Sequence, residues 1–226
     1  FEIYPQEKIG IVGRTGSGKS SLILTLTRIL ELADEQNGSI KLDGVPINEI
    51  GLTELRRNLK VIPQDPLLLK GTLRMNIDPY GIHTDDEVVA ALEKSLIWDS
   101  DIFKNLEPKL RFVETEQQGL VERTDYGISD ADKLGYFIEE GGKNLSIGQK
   151  QLVCIARALV RVPKVLLMDE ATSNIDPNTD LKLQEIIKRQ FVDSTIITIA
   201  HRLNTIIHYD RIFVLADGLL VEQGSP

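Results

Sequence analysis

Near the start of the chain, Gly13-Arg14-Thr15-Gly16-Ser17-Gly18-Lys19-Ser20 satisfies every fixed position of the G-x-x-x-x-G-K-[ST] pattern. Glycines in such a loop let backbone N–H groups curl around phosphate oxygens without a side-chain clash. A helix start behind the loop adds partial positive charge. Lys19 is expected to reach the β- and γ-phosphates of a nucleotide, and Ser20 to ligate Mg²⁺. A second group lies far downstream, where Val165-Leu166-Leu167-Met168-Asp169-Glu170 puts two carboxylates at the end of an apolar run. Ligands of parallel α/β sheets bind at the carboxyl ends of the strands. Asp169 is therefore expected in the Mg²⁺ shell and Glu170 beside an attacking water. Each feature alone has an ordinary reading, as a glycine-rich turn or as an acid pair capping the next turn. Together they point to nucleotide hydrolysis.

Chemistry of this kind needs strands and helices that converge. Ile9–Val12 reads as a buried strand before the loop, and Leu22, Ile23, Leu26, Ile29 and Leu30 repeat at helical spacing from Ser20 to about Leu32. Ser39–Leu42 reads as a strand with a tight turn at Asp43-Gly44. Thr53 is expected to cap a short helix through Arg57, followed by a strand at Val61-Ile62 that Pro63 ends. Phe1–Tyr4 alternates like a strand, with a turn at Pro5-Gln6. From Leu73 to about Leu96 the pattern is helical. The stretch 107–142 reads mostly as an exposed acidic loop. Ser146 then caps a helix to about Val160. Val165–Met168 and Ser194–Ile199 read as strands, with a helix opened by Asp176-Pro177 between them. Arg211–Leu215 and Leu219–Val221 flank Asp217-Gly218 as a hairpin. Alternation of this type predicts an α/β fold with a mostly parallel sheet, and the phosphate-loop motif makes the expected class the P-loop NTPase (RecA-like) core that it resembles. The expected core is 1–70 and 161–226. An α-helical subdomain is inserted near 71–160, and an antiparallel β part is incomplete at the start.

Composition limits the alternatives. The 226 residues are 42% hydrophobic and 27% charged, which is globular and not disordered. Net charge is −8, so a nucleic-acid partner is not expected. Between Glu107 and Gly142, nine acids face four bases, which concentrates most of that charge in one stretch. A single cysteine, Cys154, excludes an internal disulfide and a cysteine-built zinc site. No apolar run approaches the roughly 18–20 residues that span a bilayer, and Phe1–Lys8 has no signal-peptide pattern. The abrupt start in a strand pattern and the stop at Gly224-Ser225-Pro226 suggest a piece of something longer.

Leu145-Ser146-Ile147-Gly148-Gln149 sharpens the reading, because it resembles the signature motif of ATP-binding cassette (ABC) proteins. Gln64 in Ile62-Pro63-Gln64-Asp65-Pro66, Ser173-Asn174-Ile175-Asp176, and His201 in Thr198-Ile199-Ala200-His201-Arg202 follow in the family's order. Across Ile62–Pro79, Gly141–Ala158 and Ile199–Thr205 the wording is most similar to the second nucleotide-binding domain of subfamily C, the multidrug-resistance-associated group. The resemblance implies ATP and Mg²⁺ as ligands, with Gln64 at the metal and water. It places Ser146, Gly148 and Gln149 on the γ-phosphate held by a second nucleotide-binding domain, in a head-to-tail pair that Asp176 also crosses. His201 would contact the γ-phosphate and orient the Glu170–water pair. Transmembrane domains of the same or another polypeptide would be the driven partner, at the cytoplasmic face of a membrane, most often in an exporter.

Two departures stand out. Ile147 replaces the commoner glycine, which is familiar in subfamily C. The acidic stretch before Gly141 is longer than the family pattern and reads as a solvated loop ahead of a docking element. The family's adenine-stacking aromatic lies upstream of the strand that begins here; Phe1 is too close to the phosphate loop to be assigned that role, and Tyr4 and Trp98 have no claim to it by position. A soluble ABC ATPase of DNA repair or translation is one rival, disfavoured by a short acidic insert. A regulatory domain that gates a partner without turnover is the other, disfavoured by the presence of both Glu170 and His201.

Overall fold

β-Branched and leucine-rich runs build the first of two units. The computed structural model describes residues 1–32, 38–106, 110–113, 122–125, 128–169, 175–200 and 202–226. The chain divides into Phe1–Pro66 with Arg161–Pro226, and Leu67–Val160.

In the first unit, β1 (Lys8–Gly13) leads through the glycine-rich loop into α1 (Lys19–Leu26). The hairpin of β2 (Lys41–Leu42) and β3 (Val45–Pro46) precedes α2 (Leu52–Asn58) and β4 (Leu59–Ile62). In the second unit come β5 (Gly71–Thr72), α3 (Leu73–Ile77), α4 (Asp85–Lys94), β6 (Leu110–Val113) and β7 (Glu122–Asp125). They are followed by α5 (Asp130–Leu134), β8 (Phe137–Ile138) and α6 (Ile147–Val160). The chain returns to the first unit with β9 (Val165–Asp169), α7 (Pro177–Gln190), β10 (Thr195–Ile199), β11 (Arg211–Ala216) and β12 (Leu219–Gly224).

The main sheet has the order β12-β11-β1-β10-β9-β4. Every neighbouring pair is parallel except β11 with β12. Leu166, Leu167 and Met168 of β9 are all buried, the burial on both faces that makes a parallel strand read as one apolar run. Ile9, Ile11, Ile23, Leu55, Leu167, Ile199 and Phe213 share a core. Asp217 and Gly218 take positive φ (49° and 78°) at the β11–β12 turn, as an Asp-Gly hairpin requires.

The second unit packs helices α3, α4 and α6 around Leu73, Val88, Leu92, Ile97 and Val153. Trp98 is part of this core, edge-to-face with Phe103 at 5.7 Å, and Lys133 Nζ lies 4.5 Å over its ring.

Several expectations from the sequence give way. The first helix stops at Leu26 and does not run to Leu32, although the apolar spacing continues. The Thr27 hydroxyl turns back onto the Ile23 and Leu24 carbonyls (3.0 Å each), and Arg28 adopts φ 51°. The helix expected over Leu73–Leu96 is two helices, because Pro79 and Gly81 (φ 62°) separate α3 from α4. Thr84 restarts the helix through a capping box with Glu87. Gly51, not Thr53, sits at the cap of α2, with no side-chain cap bond. Phe1–Tyr4 forms no strand. Phe1 instead packs edge-to-face on Phe213 at 5.0 Å. The acidic stretch is not simply a loop where it is described. β6 and β7 pair as an antiparallel hairpin, and α5 is capped by Ser129 with Asp132. Leu134 and Ile138 enter the core.

Candidate phosphate-binding site

The glycine-rich loop sits between the end of β1 and α1. Gly16 and Gly18 have φ 82° and 96°, a region open to glycine at little cost. A Cβ at Gly13 would meet the Leu215 carbonyl oxygen at 2.3 Å and Ser17 Oγ at 2.6 Å, so no larger residue fits there. Lys19 is 6% exposed, and its Nζ donates to the carbonyls of Gly13 (2.8 Å) and Arg14 (2.9 Å). The loop thus holds an ammonium group inside its own curve. Among the described residues the Ser17 Oγ is buried without a hydrogen-bond partner. No side chain caps α1 and no acid lies in its first turn. The leading N–H groups of a helix have no partner within it, so this end presents donors and positive potential to an anion. These features fit a polyphosphate. Arg14, Thr15 and Gly16 are exposed, as is Ser20.

The sheet brings further candidates to the same end. The pairing Ile11–Ile199–Asp169 runs level across β1, β10 and β9, and Ile62 of β4 pairs with Met168. Gly13, Asp169 and the exposed Gln64, two residues beyond β4, therefore leave neighbouring carboxyl ends. The end of β10 is tied to β1, since the Ala200 N–H donates to the Ile11 carbonyl at 3.1 Å. Thr198 and Tyr209 hydroxyls meet at 2.8 Å, and burial pushes the Tyr209 phenol up from its ordinary value of 10.0. Asp176 caps α7 and accepts from the Thr179 N–H at 3.0 Å. The Thr179 side chain and N–H, the leading causes, hold its carboxyl below its ordinary 3.8. Glu170 and His201 lie outside the described residues.

Ser146, Gly148 and Gln149 belong to the other unit. Gln149 N–H donates to Ser146 Oγ at 3.2 Å, and Ser146 N–H donates to Gln149 Oε1 at 2.8 Å. This reciprocal cap starts α6 and leaves Ser146 exposed. Sequence reasoning missed the buttress under the loop. The Gly218 N–H donates to the Ser17 carbonyl at 3.2 Å. The β11–β12 turn thus props a loop some two hundred residues earlier, and no local signal announces that contact.

The pattern of the ABC transporter family matches residues 1–173. The chain is 45% identical over its full length to the pleiotropic ABC efflux transporter of multiple drugs YBT1 of Candida glabrata. It is 46% identical over its full length to human ATP-binding cassette sub-family C member 3. It spans 13% of each of these relatives. Among solved structures it is similar to a bacterial Atm1-family ABC exporter with ATP bound. That match is 33% identical with a TM-score of 0.80, covering all of this chain and 34% of the other. The chain belongs to the ABC transporter family, as an ATP-binding domain. Within the family its similarity is to the subfamily C transporters.

Proposed function

We propose that this domain hydrolyses Mg-ATP and thereby powers an exporter of subfamily C type, in the manner of a second nucleotide-binding domain. The observation that carries the reading is the Lys19 ammonium set inside a glycine loop, at the same sheet end as Asp169 and Gln64. The Ser20 hydroxyl, the Gln64 amide and the Asp169 carboxylate offer hard oxygen donors, the ligand type that suits Mg²⁺. Bound there, the ion would neutralise charge on the β- and γ-phosphates. Gly13 to Ser20 bind the phosphates, and Lys19 offsets their charge. Glu170 accepts a proton from the attacking water as it adds in line to the γ-phosphorus and the bond to the β–γ bridging oxygen breaks. His201 orients that pair. Little covalent chemistry is asked of the protein, so positioning and charge supply most of the catalysis.

Ser146, Gly148, Gln149 and Asp176 act on ATP held by a second nucleotide-binding domain in a head-to-tail pair. The unit Leu67–Val160 is the helical subdomain of that arrangement. Transmembrane domains are the driven partner, and the domain works at the cytoplasmic face of their membrane.

Phosphate release tests the reading. The wild-type chain turns over ATP with Mg²⁺ and stops on chelation. Glu170→Gln retains ATP affinity and loses about 10²–10⁴-fold in turnover, the size of a lost general base. Turnover in Glu170→Gln within a few-fold of wild type would remove Glu170 from that role.

A further inference from the structure

The chain that enters α6 is held from both sides by side chains of its own unit, Leu67–Val160. Gly141 and Gly142 turn it back with φ 66° and 67°. A Cβ at Gly142 would meet Leu68 Cδ1 at 2.7 Å, so the turn is packed as well as bent. Ahead of α6, the Asn144 amide reaches back to β8 and its flanks. Its Oδ1 accepts from the Glu139 N–H at 3.0 Å, and its Nδ2 donates to the Phe137 carbonyl at 2.9 Å and the Tyr136 hydroxyl at 3.2 Å. β8 is fixed in turn by its pairing with β5, and the Leu73 N–H donates to the Tyr136 carbonyl at 2.8 Å. Inside α6, Lys150 donates from Nζ to the Gly141 carbonyl at 2.8 Å and from its N–H to the Ser146 carbonyl at 3.0 Å. Between these two holds, Leu145 is buried in the core of the unit, while Ser146 and Ile147 are exposed.

We infer that Asn144 and Lys150 are positioning residues that fix the turn 139–145 to β8 and to α6, and with it the direction in which Ser146 and Gly148 face the ATP of a partner domain. The inference rests on the role proposed above for Ser146 and Gly148. The reciprocal cap of Ser146 with Gln149 holds the first turn of α6 to itself and cannot set where that turn points. Asn144 and Lys150 join it to the strand and the glycine turn. Donors already held in place bind a bridging anion without the cost of being ordered on contact. Nucleotide binding by a single domain is the work of Gly13–Ser20, outside this network. Loss of the hold should therefore weaken nucleotide-driven pairing and spare the affinity of the single domain.

The test places Asn144→Ala, Lys150→Met and Lys150→Arg in the full chain carrying Glu170→Gln, well below their melting temperatures. Three quantities are read: Mg-ATP affinity in dilute solution, the strength of the Mg-ATP dimer by sedimentation, and hydrogen exchange at the Glu139 amide. For Asn144→Ala the dimer weakens by about tenfold or more, the scale of ordering one or two side chains on contact. Affinity in dilute solution stays within a few-fold, and Glu139 loses protection. Lys150→Met weakens the dimer in the same direction, and Lys150→Arg, which keeps a donor for the Gly141 carbonyl, recovers part of it. If Asn144→Ala does not fold, the two Lys150 variants decide by that loss and recovery. Unchanged Glu139 protection in Asn144→Ala overturns the hold. Lost protection with an undiminished dimer overturns the positioning role and leaves Asn144 a residue of loop stability. An equal loss of affinity in dilute solution also overturns it, because the effect then reaches beyond the start of α6. If Glu170→Gln alone forms no dimer with Mg-ATP, the shared-site reading falls and the positioning role with it. In that case Glu139 exchange still reports the hold separately.

Discussion

In the unit of β1, β4, β9, β10 and β11, the interior is made by strands laid side by side around Ile9, Ile11, Leu167, Ile199 and Phe213, and the candidate residues Gly13, Gln64 and Asp169 lie at or just beyond strand ends. In the unit Leu67–Val160, short helices are started by side chains, Thr72 on α3, Thr84 on α4, Ser129 on α5 and Ser146 on α6. Its loops are held by buried polar side chains such as Asn76. The first unit presents an uncapped helix start at α1, open to an anion. The second uses its helix starts mostly on its own side chains. A helix N-terminus thus serves two ends. A side-chain cap contributes stability, and at α1 the start left open by Gly18 presents its donors to an anion; the division is not strict, since Asp176 caps α7 in the first unit and Gly51 leaves α2 there without a side-chain cap.

The largest effect that sharpens this contrast is on binding. Lys19→Ala removes the ammonium from the open helix start, and ATP affinity falls by about 10²-fold or more, at about 1.5–3 kcal/mol for each charged hydrogen bond lost. Calorimetric titration checks it. Unchanged affinity would mean that the open end of α1 is not the anion site.

Stability comes next. Leu167→Ala, in a strand buried on both faces, costs about 2–5 kcal/mol. Thr84→Ala, which removes a capping box from α4, costs about 1 kcal/mol. Denaturant midpoints compare the two. Equal costs would break the distinction between a unit held by packing and one that leans on its caps.

The smallest effect is a pH dependence in the first unit. Arg211 grips Glu7 through Nε (2.5 Å) and Nη2 (2.8 Å). The Arg211 hydrogen bond is the main cause that holds the Glu7 carboxyl below its ordinary 4.5; burial opposes it, and the Tyr4 N–H adds to it. A depressed folded value means that the stabilisation is complete above pH 4.5 and is lost as pH falls through the folded value. The melting temperature of Glu7→Gln therefore lies below that of wild type at pH 7, and the gap narrows as pH falls below 4.5 through the folded value. A gap that stays the same size as the pH is lowered would exclude the ion pair as its source.

The same contrast decides what the sequence revealed. Val165–Met168 was legible because burial on both faces leaves an apolar run, and Ser194–Ile199 because its residues are mostly β-branched. The phosphate loop was legible because its glycines answer to φ and close approach. The second unit was harder to read. Leu73–Leu96 has one continuous helical period, and only Asp78–Thr84 breaks it. The α5–β8 region carries Leu134 and Ile138 in a short stretch between Asp130, Asp132 and Glu139, Glu140, where the flanking charge hides a core contribution. The Gly218 prop joins residues distant in sequence and leaves no local pattern. Of the candidate site, the order of motifs was readable, as were the strand ends before the glycine loop and at Asp169; that Gln64 follows a neighbouring strand end came from the pairing of β4 with β9.

In the proposed arrangement, ATP lies between the phosphate loop of one domain and Ser146 of another. A ligand that bridges two domains stabilises the pair that both contact. Sedimentation of Glu170→Gln with and without Mg-ATP, beside Glu170→Gln/Ser146→Arg, tests this directly. The account predicts a monomer without nucleotide and a dimer with Mg-ATP in the single variant. The arginine placed at the exposed cap of α6 should abolish that dimer. A dimer that forms equally well in both variants would contradict the assignment of Ser146 to the shared site.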